Sequence, residues 1–138
     1  MASGGEKLNG HCLCGAVEFV TLAPPISTVN CHCTDCRRST GAVFGTVLYF
    51  RQVDVVIKGT LGAFTHLSDR GTEISKQFCP TCGSNLFTRP AAWPDLIGIR
   101  AGCIDQSAAI LPERNVFVDS RLDSTPLDPT LPSFPRMP

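Results

Sequence analysis

The sequence lacks the features that would tie a protein to a membrane or to a polyanion. Its 12 lysine and arginine residues balance its 12 aspartate and glutamate residues, so the formal net charge is zero. A nucleic-acid or acidic-membrane binder needs a surplus of positive charge, which this chain does not have. No apolar run approaches the roughly 18 residues that cross a bilayer. We therefore expect neither nucleic acid nor membrane among its partners.

A secretory signal is also missing, because the first ten residues contain no apolar core. We therefore expect a cytoplasmic protein, in a compartment that keeps thiols reduced. Charged residues make up 17% of the chain and apolar residues 43%, a balance typical of a globular protein rather than a disordered one.

Turn-forming residues are frequent, with 12 glycines and 11 prolines, and this composition favours short strands over long helices. Short β-branched and aromatic segments alternate with turn signals, which predicts an all-β fold of short antiparallel sheets. The expected strands lie within residues 15–22, 27–30, 43–50, 53–57, 61–67, 72–78, 85–88, 96–100 and 115–118. One helical turn is expected at residues 34–39, capped by Thr34 and ended by Gly41.

The chain is expected to form one domain with two terminal extensions. We predict a flexible N-terminus at residues 1–7, a zinc-binding domain of catalytic type at 8–122 and a proline-rich tail at 123–138. Prolines recur every third residue from Pro126 to Pro138, which is the period of polyproline II. This period fits a ligand of a proline-binding module, but we favour a tail packed on the domain. The packing side chains would be Leu127, Leu131 and Phe134.

The chain has eight cysteines, and seven of them lie in three short clusters. The clusters are Cys12 with Cys14, Cys31 with Cys33 and Cys36, and Cys79 with Cys82. In extended backbone, residues two apart point to the same side, so each C-x-C pair can aim two sulfurs at one point. The C-x-x-C pair bends into a tight turn, with Pro80 setting its start and Gly83 able to adopt a positive φ. In a reducing compartment, such clusters indicate metal rather than disulfides.

Seven thiolates allow several partitions, and the most economical is one site of four cysteines and one site of three. The cluster at residues 31–36 can hold one ion unaided. The remaining four cysteines then form a closed tetrahedral site, which links residue 12 to residue 82 and stabilises the fold. A three-cysteine site keeps one coordination position open, which separates a reactive zinc from a structural one. We therefore expect two Zn²⁺ ions per chain.

Other interpretations of these residues stay open at this point. The second ion is structural if His32, Asp35 or a remote group supplies a fourth ligand, although His32 lies between two ligands and should face away. Disulfide pairing of the clusters is a further alternative. Cys103 has no neighbour at ligand spacing and is interpreted as a small buried apolar residue. His11, His32 and His66 are interpreted as ordinary polar residues rather than as a general base.

Taken together, the three motifs resemble the glutathione-dependent formaldehyde-activating enzyme family, which includes the centromere protein V group. The resemblance is carried by residues 10–15, 31–41 and 78–84, with weaker similarity at 98–105 and 116–121. It extends over roughly residues 8–135. The resemblance implies a β-rich fold of the Mss4-like type.

The resemblance also implies two zinc sites and an enzymatic activity. The structural zinc would be held by Cys12, Cys14, Cys79 and Cys82, and a more labile zinc by Cys31, Cys33 and Cys36. The family's activity joins formaldehyde to glutathione, giving S-(hydroxymethyl)glutathione, and is classed as carbon–sulfur lyase chemistry. The partners would then be a small thiol such as glutathione and a small aldehyde. The chain departs from the family pattern after Arg121, where an aromatic residue is frequent and this sequence reads Leu-Asp-Ser-Thr.

An open zinc position predicts either binding of a substrate thiolate or polarisation of an aldehyde carbonyl. Three thiolates leave the centre formally anionic, which weakens it as a Lewis acid and favours thiol binding. Arg37 and Arg38 follow the second cluster and are candidate partners for substrate carboxylates, with a solvated surface pair as the simpler interpretation. The alternative function is a zinc-stabilised protein-binding module without turnover.

Overall fold

The computed structural model describes residues 7–138. The flexible N-terminus expected at residues 1–7 lies outside the described residues except for Lys7. In chain order the strands are β1 (Asn9–His11), β2 (Glu18–Thr21), β3 (Ser27–Cys31), β4 (Gly45–Arg51), β5 (Val55–Lys58), β6 (Gly62–Leu67), β7 (Glu73–Phe78), β8 (Asn85–Pro90), β9 (Leu96–Arg100) and β10 (Arg114–Val116). One α-helix, α1 (Thr34–Thr40), connects β3 to β4 in this part of the chain.

These strands form two sheets. The larger sheet has seven strands in the order β10-β3-β4-β9-β8-β7-β6, and the smaller has three in the order β1-β2-β5. Neighbouring strands are antiparallel, apart from β10 and β3, which pair in parallel. The prediction of an all-β fold built from antiparallel sheets is confirmed. Within residues 7–138, no helix has the length and apolar character that crossing a bilayer requires.

Strand β4, in the interior of the larger sheet, divides its side chains between two cores. Leu48 and Phe50 are fully buried in the larger core, which also contains Cys12 and Cys79. Val47 packs in the smaller core, with Cys31 and Cys36, on the other face of the strand. Because side chains alternate along a strand, this period of two places the two cysteine clusters on opposite faces of the sheet.

Helix α1 begins directly after the second cysteine motif. Cys33, not Thr34, is the N-cap, because its backbone is still extended and its Sγ accepts the Cys36 N–H at 3.2 Å. The prediction of Thr34 as the cap is therefore wrong. The predicted end at Gly41 is confirmed, since this residue has a φ of 74° and donates its N–H to the Arg37 carbonyl at 2.8 Å.

Several strands are shorter than the sequence indicated, β2 and β10 among them. β2 begins only at Glu18, because the preceding residues form a turn in which the Gly15 N–H donates to the Cys12 carbonyl. β10 ends at Val116, because Phe117 has a φ of 56°, in the left-handed region that interrupts an extended strand.

The proline-rich tail packs on the domain beside β10. The Asn115 N–H donates to the Pro132 carbonyl, and the Asn115 carbonyl accepts the Phe134 N–H, each at 2.9 Å. Leu127, Leu131 and Phe134 are partly buried, and the last of these packs against the smaller core. The interpretation of a packed tail is confirmed by these contacts.

Candidate metal centres and the adjoining cavity

Four cysteines from distant parts of the chain meet at one point. The sulfur atoms of Cys12, Cys14, Cys79 and Cys82 all lie within 4.8 Å of one another. Two similar turns present them: the Gly15 N–H donates to the Cys12 carbonyl at 3.1 Å, and the Gly83 N–H to the Cys79 carbonyl at 2.8 Å. Both glycines have a positive φ, 81° and 80°, which a residue with a Cβ adopts only with strain. This cluster is the group of four that the sequence spacing indicated.

Hydrogen bonds to sulfur favour the ionised form of Cys12 and Cys82 in this cluster, whereas burial and the neighbouring sulfurs raise the pKa of Cys14 to about 11. The Ser84 hydroxyl lies 3.2 Å from the Cys82 Sγ, and hydrogen bonds from the hydroxyl and backbone N–H of Ser84 lower the pKa of Cys82 to about 5. The Val17 N–H donates to the Cys12 Sγ at 3.3 Å. Because the thiolate is the metal-binding form of cysteine, this cluster has the donors to hold a metal ion.

The second cluster forms where β3 passes into α1. Cys31 ends the strand, Cys33 caps the helix and Cys36 lies in its first turn, with all three sulfurs within 4.8 Å of one another. Cys33 is partly exposed and the other two are buried. Within residues 7–138, no histidine or carboxylate joins this group. The cluster can therefore hold a metal ion with three protein ligands, which leaves one tetrahedral position free.

Cys36 is the member of this cluster that most favours the thiolate. Hydrogen bonds from Cys31 and Cys33 hold the pKa of Cys36 well below its usual range. The positive charges of Arg100 and Lys76 lower this pKa further. The Arg100 Nη1 lies 3.6 Å from the Cys36 Sγ, so a buried guanidinium faces the sulfur directly.

The three-cysteine cluster opens into a cavity of about 700 Å³. Its three cysteines all line this cavity, whereas no cysteine of the four-cysteine cluster does so in the described part of the chain. Five cationic side chains line the walls: Arg70, Lys76, Arg100, Arg114 and Arg136. Three carboxylates also line them: Asp35, Asp69 and Asp119. With five cations against three carboxylates, the lining favours an anionic ligand.

The structure does not bring Arg37 and Arg38 to this cavity. The Arg37 Nη2 donates to the Ser120 carbonyl at 3.3 Å, and Arg38 is exposed to solvent. Among the described residues, neither lines the cavity. Successive residues of a helix point about 100° apart, so the two positions after Cys36 turn away from the face that it occupies. Their role in substrate binding stays a prediction without support from these contacts.

The remaining residues singled out in the sequence lie in three different places. His32 is buried away from the cluster and stacks on Phe44, with ring centroids 4.6 Å apart. Cys103 is only partly buried, because its Sγ reaches the Asn85 carbonyl at the edge of the core. The prediction of a buried Cys103 is therefore partly wrong. His66, interpreted as an ordinary polar residue, lines the cavity with its Nδ1 3.8 Å from Asp35.

Sequence reasoning missed the cations that line the cavity. Lys76 comes from β7, Arg100 from β9 and Arg136 from the tail, so no local spacing connects them to the cysteines. The available signal was strand alternation, which places Ile74 and Lys76 on one face of β7. Which face meets the cysteines depends on strand order, which no motif in the sequence states.

Comparison with known proteins agrees with this arrangement. Residues 7–120 match the sequence profile of the family described as glutathione-dependent formaldehyde-activating enzyme. A protein of Halomonas elongata, provisionally named a glutathione-dependent formaldehyde-activating enzyme, is 30% identical over 115 residues, covering 78% of this chain and 71% of that protein. A crystal structure of a Rhodobacter sphaeroides protein is similar over 91% of this chain and 98% of that protein's chain, with a TM-score of 0.53. The two sequences are 21% identical, so this likeness concerns the fold alone. The chain therefore belongs to the glutathione-dependent formaldehyde-activating enzyme family.

Proposed function

We propose that this protein is a zinc-dependent carbon–sulfur lyase that interconverts glutathione plus formaldehyde with S-(hydroxymethyl)glutathione. One observation carries the proposal: of the two cysteine clusters, the one with three sulfurs lines the cavity. A metal site with a free position is the arrangement typical of catalytic zinc, and a site closed by four cysteines is typical of structural zinc.

The donor atoms of both clusters suit zinc. Grouped cysteine sulfurs are preferred by a soft divalent ion, and tetrahedral zinc takes four such ligands or three with an open position. Cys12, Cys14, Cys79 and Cys82 would hold the structural ion, and Cys31, Cys33 and Cys36 the second one. When bound in the second cluster, zinc supplies an open position that keeps a substrate thiol ionised near pH 7.

The cavity has the size and charge that a tripeptide thiol requires. Its volume of about 700 Å³ lies within the range of roughly 300–1,000 Å³ that is typical of small-molecule sites. Arg70 and Arg136 are exposed cations that line it, and Arg114 is a partly buried one. Guanidinium groups bind carboxylates with paired hydrogen bonds, so these residues can receive the two carboxylates of glutathione.

The reaction needs one bond to form and one proton to move. The glutathione sulfur attacks the formaldehyde carbon, a C–S bond forms, and the π electrons of the carbonyl move to oxygen. The thiol proton leaves the sulfur and a proton reaches the new hydroxyl, so the two reactants add without loss of any atom. In this scheme the chain's cations orient the tripeptide, and the buried end of the cavity holds the reacting atoms away from water.

The test is the rate at which glutathione and its formaldehyde adduct interconvert at equilibrium, measured by exchange NMR because the adduct also forms without enzyme. We expect zinc-loaded wild-type protein to accelerate this exchange. Cys33→Ser should abolish the acceleration, because it removes one of the three ligands and keeps an oxygen at the helix cap. Cys103→Ser is the matched control, since Cys103 belongs to neither cluster.

The competing function is a zinc-stabilised binding module. A fully metal-loaded protein that leaves the exchange rate unchanged for several thiol and aldehyde pairs would reject the enzyme and favour the module.

A further inference from the structure

Lys76 is a buried lysine whose positive charge acts on the three-cysteine cluster. It lies on β7, where it is 7% exposed, and its neighbours across the sheet are Phe64 on β6 and Thr88 on β8. Both Lys76 and Thr88 line the cavity of the three-cysteine cluster. Lysine is among the residues least often buried to this degree, so its placement requires a reason.

The ammonium group of Lys76 has no partner in the described structure. The three ion pairs formed by residues 7–138 involve other side chains, and none of the side-chain hydrogen bonds there includes Lys76. A buried, unpaired cation is costly unless an anion faces it. The Cys36 sulfur is one such anion, because the positive charge of Lys76 lowers the pKa of Cys36, and a ligand in the cavity can supply a second.

The other buried cation of the cavity, Arg100, is engaged through two of its nitrogens, while its Nη2 has no hydrogen-bond partner within residues 7–138. Arg100 donates from Nε to the Asn85 Oδ1 at 2.8 Å and from Nη1 towards the Cys36 Sγ at 3.6 Å. The cations Arg70 and Arg136 are exposed on the cavity lining, and the proposed function assigns them to the carboxylates of the substrate. The Arg100 Nη2 and the Lys76 ammonium are therefore the deep donors left free to meet a charge that develops at the reacting atoms, and of the two only the ammonium readily gives up a proton.

We infer that Lys76 is a catalytic residue, whose ammonium contacts the aldehyde oxygen and gives it a proton as the C–S bond forms. The inference rests on the function proposed above. As sulfur adds to carbon, the carbonyl oxygen becomes an alkoxide, and an N–H bond of Lys76 breaks while the O–H bond of the hydroxymethyl group forms. The resulting neutral amine takes up the proton released by the next thiol, so no other reactant is needed. In the reverse direction the amine accepts the hydroxyl proton and formaldehyde leaves.

The experiment combines exchange NMR with calorimetric binding of S-methylglutathione, which has no hydroxyl group. We expect Lys76→Met to slow the glutathione–adduct exchange about 100-fold, the lower end of the range typical of a general acid. Its Kd for S-methylglutathione should stay within threefold of wild type, because the carboxylates bind elsewhere. Lys76→Arg should also exchange more than tenfold more slowly than wild type, because a guanidinium keeps the charge but is a much weaker acid. Lys58→Met, an exposed lysine on β5, is the control and should match wild type.

Four results would overturn the inference. If Lys76→Met exchanged as fast as wild type, Lys76 would have no catalytic role, while the proposed function would stand. If the Lys76→Met protein bound S-methylglutathione more than tenfold more weakly than wild type, Lys76 would be a tripeptide-binding residue. If Lys76→Arg exchanged at the wild-type rate, Lys76 would act only through its charge. Wild-type protein that bound S-methylglutathione without accelerating exchange would reject the proposed function and the inference together.

Discussion

The guanidinium Nη1 of Arg100 lies 3.6 Å from the sulfur of Cys36, and this contact joins β9 to the three-cysteine cluster. The backbone of Gly45 makes room for it, because a Cβ built there would lie 2.8 Å from the same nitrogen and 3.6 Å from the Cys36 Cβ. A side chain at this position of β4 would therefore push the guanidinium away from the Cys36 sulfur.

This relationship predicts a specific coupling between Gly45 and Arg100. Gly45→Ala should lower the free energy of unfolding by about 1–3 kcal/mol, the usual range for overpacking in a tight site. In an Arg100→Ala background the same change should be much less costly, because the clashing nitrogen is gone. Urea denaturation of the four proteins in the cycle measures this difference. An equal cost in both backgrounds would show that the arginine does not occupy this position.

The position of Arg136 on the cavity lining predicts a preference for thiols that carry a carboxylate. Its Nη1 lies 3.4 Å from the Asp69 carboxylate, and both side chains line the cavity. Arg136 lies outside residues 7–120, which match the family profile. We expect Arg136→Gln to raise the KM for glutathione about fivefold, equivalent to roughly 1 kcal/mol for an exposed charged contact, with kcat unchanged. The KM for 2-mercaptoethanol, which has no carboxylate, should not change. Arg51→Gln, on an exposed arginine away from the cavity, is the control.

An equal rise in KM for both thiols after Arg136→Gln would contradict a carboxylate contact. It would indicate instead that the tail shapes the cavity as a whole, since Pro135 and Met137 line it too.

The single tyrosine of the chain allows a direct test of burial in the smaller core. Burial raises the pKa of Tyr49 above its ordinary value of 10, and the nearby thiolates of Cys31 and Cys36 raise it further. The tyrosine therefore contributes stability that is present below about pH 10 and lost as the pH rises through the folded-state pKa. An absorbance titration should show tyrosinate forming only above the pH at which unfolded protein ionises. Ionisation at the same pH in both states would contradict the burial of this side chain.

The four-cysteine cluster predicts a strong dependence of folding on metal. Cys79→Ser should abolish cooperative thermal unfolding, because a structural zinc site is worth about 10–16 kcal/mol, comparable to the whole stability of a domain. Cys103→Ser should retain both ions and the wild-type transition, since its sulfur lies outside both clusters and a hydroxyl can also donate to the Asn85 carbonyl. Thermal unfolding followed by circular dichroism makes the comparison. A Cys79→Ser protein with an unchanged Tm would show that this cluster is not a structural site.

The cysteine clusters could be predicted because their chemistry is local. Gly15 and Gly83 mark tight turns in the sequence, and the C-x-C and C-x-x-C spacings group the ligands before any tertiary contact is known. The helix after Cys33 was also predicted, and only its cap was misplaced, because a cysteine sulfur is not a usual N-cap acceptor.

The cavity could not be predicted, because it depends on the order of the strands. Lys76 and Arg100 approach the cysteines only because β4, β9, β8 and β7 are consecutive neighbours in one sheet. The end of β10 was missed for a different reason: Phe117 adopts a positive φ, which is unusual for an aromatic residue and leaves no signal in the sequence.

The most direct test of the account is X-ray absorption at the zinc edge, with and without glutathione. We expect two ions per chain with about 3.5 sulfur ligands each on average, from one site of four cysteines and one of three. This number should rise to about 4 when glutathione binds. A sulfur count that does not change on adding saturating glutathione, or a single ion per chain in freshly isolated protein, would contradict an open thiol-binding site at Cys31, Cys33 and Cys36.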